Sequence, residues 1–373
     1  MPIVLQSYRP EHEPSVNEFN QRLRSAGADA DLVFYESAEP RWLPATANPD
    51  LYNEFFLALD NGTVRGGYAL KHQMFSFADG SIREVGYYHH PLSESIVNQA
   101  HAIVGGLLLR DAMQRSPLLY CLGMGGYDRP LPKMLARLGW SHCLIPFYFR
   151  IVHPARFLKE MQALRTSSGR RLLMNIAAYS GLGWVGLKAF QLLQRVRAPQ
   201  SVVCQVDVID EFGPWADELW QRSKDAYTLC AVRDCTTLRT LYPAGDRHFR
   251  RIRVRQHSKD IGWAVVGERR KDQKYGSLRV GSIIDCWASP QDAVPVIRAA
   301  TEELEKTGVD LIVSNQSHGA WCGAMQAAGF LTAQSNFIFA ASKPLAALLH
   351  PFDETRSRIH FTRADGDGLP RNF

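Results

Sequence analysis

Two glycine-aromatic landmarks recur along this chain at one spacing, and that spacing limits the folds open to it. Gly67-Tyr68-Ala69 returns as Gly262-Trp263-Ala264, and Gly86 returns as Gly281, both 195 positions later. Pro91, at a strand end, is matched by Pro290 after 199 positions, and Gly139-Trp140 by Gly329-Phe330 after 190, differences that loops absorb. Four landmarks in the same order predict an internal duplication, with a repeat far longer than a solenoid unit. At 373 residues the chain has room for two cores. The expected division is a first domain over 1–153, a helical linker over 154–200, a second domain over 201–345 and a tail over 346–373.

Within each repeat the pattern alternates strands and helices. Ile3 to Tyr8 reads as a strand, and Pro10 to Arg24 as a helix with Glu11 and Glu13 early and Arg22 and Arg24 late, the order a helix dipole favours. Asp60-Asn61-Gly62 between the apolar runs 55–59 and 68–77 predicts a two-residue hairpin. A strand over Ile82 to Tyr88 leads through His89-His90-Pro91-Leu92-Ser93 into a helix over 95–115, a strand over Leu118 to Leu122, and a helix over Pro132 to Leu138 stopped by Gly139. In the second half, Leu311 to Val313 predicts a buried strand, 314–319 a polar turn, and Ala320 to Ala328 a helix closed by Gly329. Phe337 to Ala341 forms a last strand. Strand, polar turn and helix start meet where unpaired N–H groups gather, so Ser314, Asn315, Gln316 and His318 stand where ligands commonly bind.

The remaining features exclude more than they assign. Leu172 to Leu193 is long enough to span a bilayer, but Lys188 near its centre and Gly181, Gly183 and Gly186 oppose insertion. Two amphipathic helices broken at Gly181 fit better, packed between domains or lying at a membrane surface through 170–197. Seven cysteines without a Cys-x-x-Cys pair read as reduced thiols, and the absence of an export signal at Met1-Pro2-Ile3 points to the cytoplasm. The basic run Arg247 to Arg255 fits a strand with one solvated face, or a contact to an anionic partner. There is no tightly spaced metal-ligand cluster, Walker-type loop or nucleophile elbow.

The order of hairpin, strand, helix, strand and helix ending in Gly-aromatic resembles the GNAT acyltransferase fold, here doubled. The implied class is α/β (α+β), two tandem domains, each a mixed, mostly antiparallel sheet with flanking helices. Over the whole chain, including Leu122-Gly123-Met124-Gly125-Gly126, Ser314-Asn315-Gln316 and Asp365-Gly366-Asp367-Gly368, the sequence is similar to tandem GNAT proteins linked with bacterial exopolysaccharide production. The resemblance implies acetyl-CoA or another acyl-CoA as co-substrate, no metal, and a small or lipid-linked sugar acceptor. The coenzyme is expected against Trp287, Ala288, Ser289, Gln291 and Asn315 in the second half, and Tyr88, His90 and Ser93 in the first. One departure stands out: the family's Gly-rich pyrophosphate loop is absent from both halves, with Gly105-Gly106 expected too far along its helix to serve.

Transfer from a thioester needs a donor groove, a polarised carbonyl and a base. The base candidates are Asp285 and His318 in the second half and Glu84, His89 and His90 in the first. Each also has a structural role open to it, as a cap or a strand end. Cys286 and Cys322 lie among apolar neighbours, which raises a thiol pKa, so direct transfer is expected over a covalent intermediate. The alternatives are a Fem-type aminoacyl transferase, with Arg247 to Arg255 on tRNA, and a degenerate pair that only binds.

Overall fold

The computed structural model describes residues 3–29, 32–160, 204–270 and 278–366. The helices expected around Gly181, the proposed membrane-facing stretch 170–197, and the tail from Asp367 lie outside the described residues. The first part of the chain forms β1 (Val4–Ser7), α1 (Glu13–Ser25), β2 (Leu51–Asp60), β3 (Thr63–Phe77), β4 (Ile82–Ser93), α2 (Val104–Arg115), β5 (Leu119–Met124), α3 (Pro130–Arg137), β6 (Ser141–Leu144), β7 (Phe147–Ile151) and α4 (Pro154–Glu160). The second part forms β8 (Gln205–Ile209), α5 (Trp215–Ser223), β9 (Leu229–Ala231), α6 (Cys235–Leu241), β10 (Arg250–Gln256), β11 (Lys259–Arg270), β12 (Arg279–Ala288) and α7 (Ala293–Lys306). It ends with β13 (Leu311–Asn315), α8 (Gly319–Ala327), β14 (Leu331–Ala333), β15 (Phe337–Ala341), α9 (Lys343–Leu348), α10 (Phe352–Thr355) and β16 (Ile359–His360).

These elements form two compact units, Met1–Cys143 with Ile338–Phe352, and Leu144–Phe337 with Asp353–Phe373. The expected pair of sheets with flanking helices is present. The first sheet runs β1-β2-β3-β4-β5-β15-β6 and the second β8-β10-β11-β12-β13-β7-β14. Position by position these orders match, and the fourth and fifth strands of each run parallel, β4 with β5 and β12 with β13. The sixth place is taken in both by a strand distant in sequence: β15 in the first sheet, β7 in the second. Phe337 to Ala341 is the expected strand, but it completes the first sheet and not the second. Ser342 ties it there, its Oγ accepting from Leu119 N at 3.1 Å and donating to Pro117 O at 2.8 Å. In the second unit Phe147, Phe149 and Ile151 pack on Val280, Leu311 and Val313.

Local sequence accounts for the layers. On α1, Val16, Phe19 and Leu23 share one face and pack with Phe55, Leu57 and Ala69. On α2, Val104, Leu108 and Ala112 pack with Phe56, Tyr68, Leu70 and Tyr88, the alternate residues of the same strands. The two helices therefore cover opposite faces of the first sheet. Asn61 and Gly62 both turn with positive φ, 50° and 79°, as the hairpin requires.

Two expectations need correction. The helix predicted over 95–115 begins only at Val104, because the Ser93 and Asn98 side chains accept from Ser95 N and Ala100 N and wind the intervening chain into 3₁₀ turns. By its packing surroundings the counterpart of Gly262 is Gly66 and not Gly67. A Cβ at Gly66 would lie 2.6 Å from Leu92 O and 2.9 Å from Val104 Cγ1, and one at Gly262 2.7 Å from Trp287 O and 2.3 Å from Val296 Cγ2. In each sheet a helix crosses the bare backbone at that point, so Gly262→Ala is expected to destabilise the chain by about 1–3 kcal/mol through overpacking. A lowered urea midpoint measures it, with the exposed turn variant Asn61→Gly, close to neutral, as the comparison.

Candidate active site

Both sheets open at their parallel contact. β4 pairs with β5 only at Gly86–Leu119 and Tyr87–Tyr120, although β4 continues to Ser93 and β5 to Met124. β12 pairs with β13 at Val280–Leu311, Gly281–Ile312 and Ser282–Val313, then continues to Ala288 while β13 ends at Asn315. Each opening exposes backbone donors and acceptors that need other partners.

In the second unit the chain supplies those partners itself. Ser314 Oγ donates to Ile283 O at 3.0 Å, and Gln316 Nε2 donates to Ser314 Oγ at 3.2 Å. The segment after β16 then runs along the parted strands. Phe361 N donates to Ser317 Oγ at 2.7 Å, Thr362 Oγ1 to Asp285 Oδ1 at 3.0 Å, and Arg363 Nη1 to Asn315 Oδ1 at 3.1 Å. Asp285 also accepts from Arg233 Nε and Tyr242 OH, both at 2.8 Å, while Arg233 Nη2 reaches Asp365 at 2.6 Å. All four groups are buried. The tail residues Arg363 and Asp365 are thus spent on the fold.

The other candidates of this half are similarly engaged. His318 Nδ1 accepts from Ala320 N and caps α8, and burial pushes its pKa down to about 4. Trp287 donates to Ser223 Oγ at 2.7 Å and packs against His360, whose pKa burial lowers to about 3. Ala288 O accepts from Tyr227 OH at 2.7 Å. Ser289 and Gln291 stand before α7, Gln291 exposed, but this helix start carries Asp292 ahead of it and Pro295, which has no N–H, in its first turn. Burial raises the Cys286 and Cys322 thiols, as expected from their neighbours. Three arginines of the basic run are ion-paired: Arg250 with Glu303, Arg253 with Asp260, Arg255 with Asp207.

In the first unit His89 stands two residues past the last β4–β5 pair. Its ring stacks on Tyr87 at 4.8 Å, and Tyr87 OH donates to Leu122 O on β5 at 3.0 Å. Burial, with His90 and Lys71 adding to it, holds the His89 pKa well below the usual histidine range. Tyr88 points to the opposite face, into the α2 core. His90 takes a positive φ of 50° where the β3–β4 register shifts, and its ring bonds Val33 O at 2.7 Å. Ser93 caps the first 3₁₀ turn. Glu84 lies elsewhere: it bonds His72 Nδ1 at 2.7 Å, with Glu54 on Nε2 at 2.9 Å, and its five-residue separation from His89 along β4 is roughly 16 Å of strand.

The late start of α2 changes the meaning of its glycines. Gly105 and Gly106 fall in the first turn, where backbone N–H groups lack intrahelical partners, and a Cβ at either would meet nothing within 4 Å. Glu94, at the first of the 3₁₀ turns before α2, is held by Arg22 at 3.1 Å and Arg65 at 3.0 Å. The side-chain caps at Ser93 and Asn98 were the available signal for this. Asn53 and Arg233 carried none, since they reach their partners across strands or across the chain. Among the described residues no group of three or more His, Cys, Asp or Glu side chains is placed to hold a metal.

Neutral, buried His318 and His360 make the fold sensitive to acid. Below pH 6.5 the unfolded chain takes up protons that the folded chain refuses until about pH 4, so stability falls as pH falls through that window. The urea midpoint is expected to be lower at pH 5 than at pH 7, with a smaller drop in His360→Phe; an equal drop in both would refute the assignment.

No family model matches the sequence, and no curated protein matches it. Solved structures do. An Enterococcus faecalis protein described as a probable N-acyltransferase shares 8% identity over 91% of this chain and 72% of its own, with a TM-score of 0.50. Saccharomyces cerevisiae N-myristoyltransferase with bound myristoyl-CoA and inhibitors shares 9% over 92% and 80%, at 0.52. A GCN5-related N-acetyltransferase from Anabaena variabilis shares 11% over 91% and 72%, at 0.51. At such identity the likeness establishes the fold: this chain has the GNAT-type architecture, carried by two sheets.

Proposed function

We propose that the chain is an acyltransferase that takes acyl-CoA, most simply acetyl-CoA, in its first unit and passes the acyl group directly to an amine or hydroxyl of a sugar-type acceptor. One observation carries this reading: α2 begins with two uncovered glycines directly behind the parted end of β4. Bare N–H groups and the positive end of a twelve-residue helix suit a pyrophosphate. The second unit offers Asp292 and Pro295 at the equivalent place and fills its opening with its own tail, so the donor is assigned to the first unit alone. The relatives in fold described as N-acyltransferases, one with myristoyl-CoA bound, support the same chemistry.

In this reading the pantetheine arm lies along the freed edge of β4 beyond Tyr87, a backbone N–H there polarises the thioester carbonyl, and His89 receives the proton of the attacking nucleophile. Being neutral near pH 7, His89 is in the protonation state a base requires. A lipid-linked sugar of an exopolysaccharide or envelope pathway is the acceptor suggested by the sequence resemblance, with contact to a membrane surface through 170–197. Among the described residues no helix is long and apolar enough to cross a membrane. The paired arginines of β10 speak against the tRNA-dependent alternative.

Thermal denaturation with acetyl-CoA and with tRNA separates the readings. Acetyl-CoA at a hundredfold excess over its Kd is expected to stabilise by about 2.7 kcal/mol, and tRNA not at all. Gly106→Glu, which sets a carboxylate at the phosphate position, is expected to weaken acetyl-CoA at least tenfold, whereas Gln291→Glu at the start of α7 leaves it unchanged. Stabilisation by tRNA alone, or the opposite response of the two variants, would reverse the assignment.

A further inference from the structure

The face of the first sheet that bears His89 holds a second side chain whose position is set with unusual completeness. Asn53 sits on β2, its backbone N–H bound to Leu43 O at 2.8 Å. Its side-chain amide meets Trp42 O at 3.0 Å. A carbonyl only accepts, so the amide nitrogen must face Trp42 and the amide oxygen must face the other way. That oxygen lies 3.3 Å from His89 Nε2. The contact crosses β3 diagonally, since Asn53 pairs with Lys71 and His89 with Ala69, and the small Ala69 side chain leaves room for it.

An oxygen that only accepts requires a donor opposite, so Nε2 carries the ring proton. A neutral imidazole has one N–H, which leaves the lone pair on Nδ1. Among the described residues Nδ1 has no hydrogen-bond partner, and the Tyr87 ring stacked within 10° of parallel keeps it from turning. We propose that Asn53 is a positioning residue that selects this tautomer, so that Nδ1 is the nitrogen receiving the proton of the acceptor. The proposal rests on the transferase reading of the first unit.

The chemical step balances through this one nitrogen. The nucleophile forms its bond to the thioester carbonyl carbon as its proton passes to Nδ1. Collapse breaks the C–S bond, and the departing thiolate takes that proton from Nδ1, giving the coenzyme thiol and neutral His89. Throughout, Nε2–H stays on Asn53, so the ring neither rotates nor changes tautomer. The arrangement follows the logic of any base oriented by a third group.

The test reads the tautomer itself. In the full chain labelled with ¹⁵N-histidine, two-bond proton–nitrogen correlation at pH 7.5, with the His89 signals identified by their loss in His89→Gln, is expected to show the Nε2–H form. Asn53→Ala is expected to move the signals toward the Nδ1–H form. Asn53→Asp, which keeps an oxygen acceptor, should restore the Nε2–H pattern and also decides the matter if the alanine variant does not fold. An Nδ1–H ring in the wild type, or an unaltered pattern in Asn53→Ala, overturns the proposal. Acetyl-CoA stabilisation of the wild type, measured separately and expected to persist in Asn53→Ala, distinguishes a failure of the tautomer assignment from a failure of the transferase reading.

Discussion

Parallel pairing that stops after two or three residue pairs is the constraint on which the molecule is arranged. A backbone whose ladder ends inside a sheet must find other partners, and the two units answer that requirement differently. The second unit answers it internally, with Ser314, Gln316 and the tail residues Phe361, Thr362 and Arg363 lying against the parted strands. Beneath them Arg233 is held between Asp285 and Asp365, a buried charge arrangement that tolerates the loss of no member, since a carboxylate left alone there would be strongly destabilising. In the first unit the same opening is followed by a helix start with glycines and by a histidine held in one orientation. Equal topology thus yields one unit closed by its own chain and one that carries the proposed donor site.

Much of the architecture was legible because it depends on short-range chemistry. Asn61-Gly62 announced its hairpin, Gly139 and Gly329 take the positive φ that ends a helix, at 74° and 79°, and α1 shows its apolar stripe. The recurrence of Gly86 as Gly281 also has a physical basis. A Cβ at the first would meet Leu119 and Ser116, and at the second Leu304 and Val309, so both glycines lie under the C-terminal end of the helix that follows the splayed strand. What escaped reading is non-local. Nothing in Phe337 to Ala341 says which sheet it joins, because an apolar five-residue strand fits any gap of the right length. Asp285 looked like a base by position, and only Arg233, 52 residues upstream, and Asp365, 80 downstream, make it a structural charge. His89 and Glu84 were equivalent by sequence; the strand register separates them.

What the glycines of α2 can bind depends on where the helix begins. A continuous helix over 95–115 would place Gly105 and Gly106 in its middle, where their N–H groups would be spent on the helix itself. Two side-chain caps move the start by nine residues and free those groups. The departure from the family's phosphate loop is therefore one of sequence pattern more than of available backbone chemistry.

The interchange of β7 and β15 has a consequence in time. The first sheet has a vacant place between β5 and β6 until the ribosome has delivered residues up to Ala341, nearly two hundred positions after β6. At ordinary translation rates of 5–20 residues per second that is a wait of about 10–40 s, during which an apolar cleft in the nascent protein stands unoccupied. The first sheet is thus closed only after every strand of the second has been synthesised.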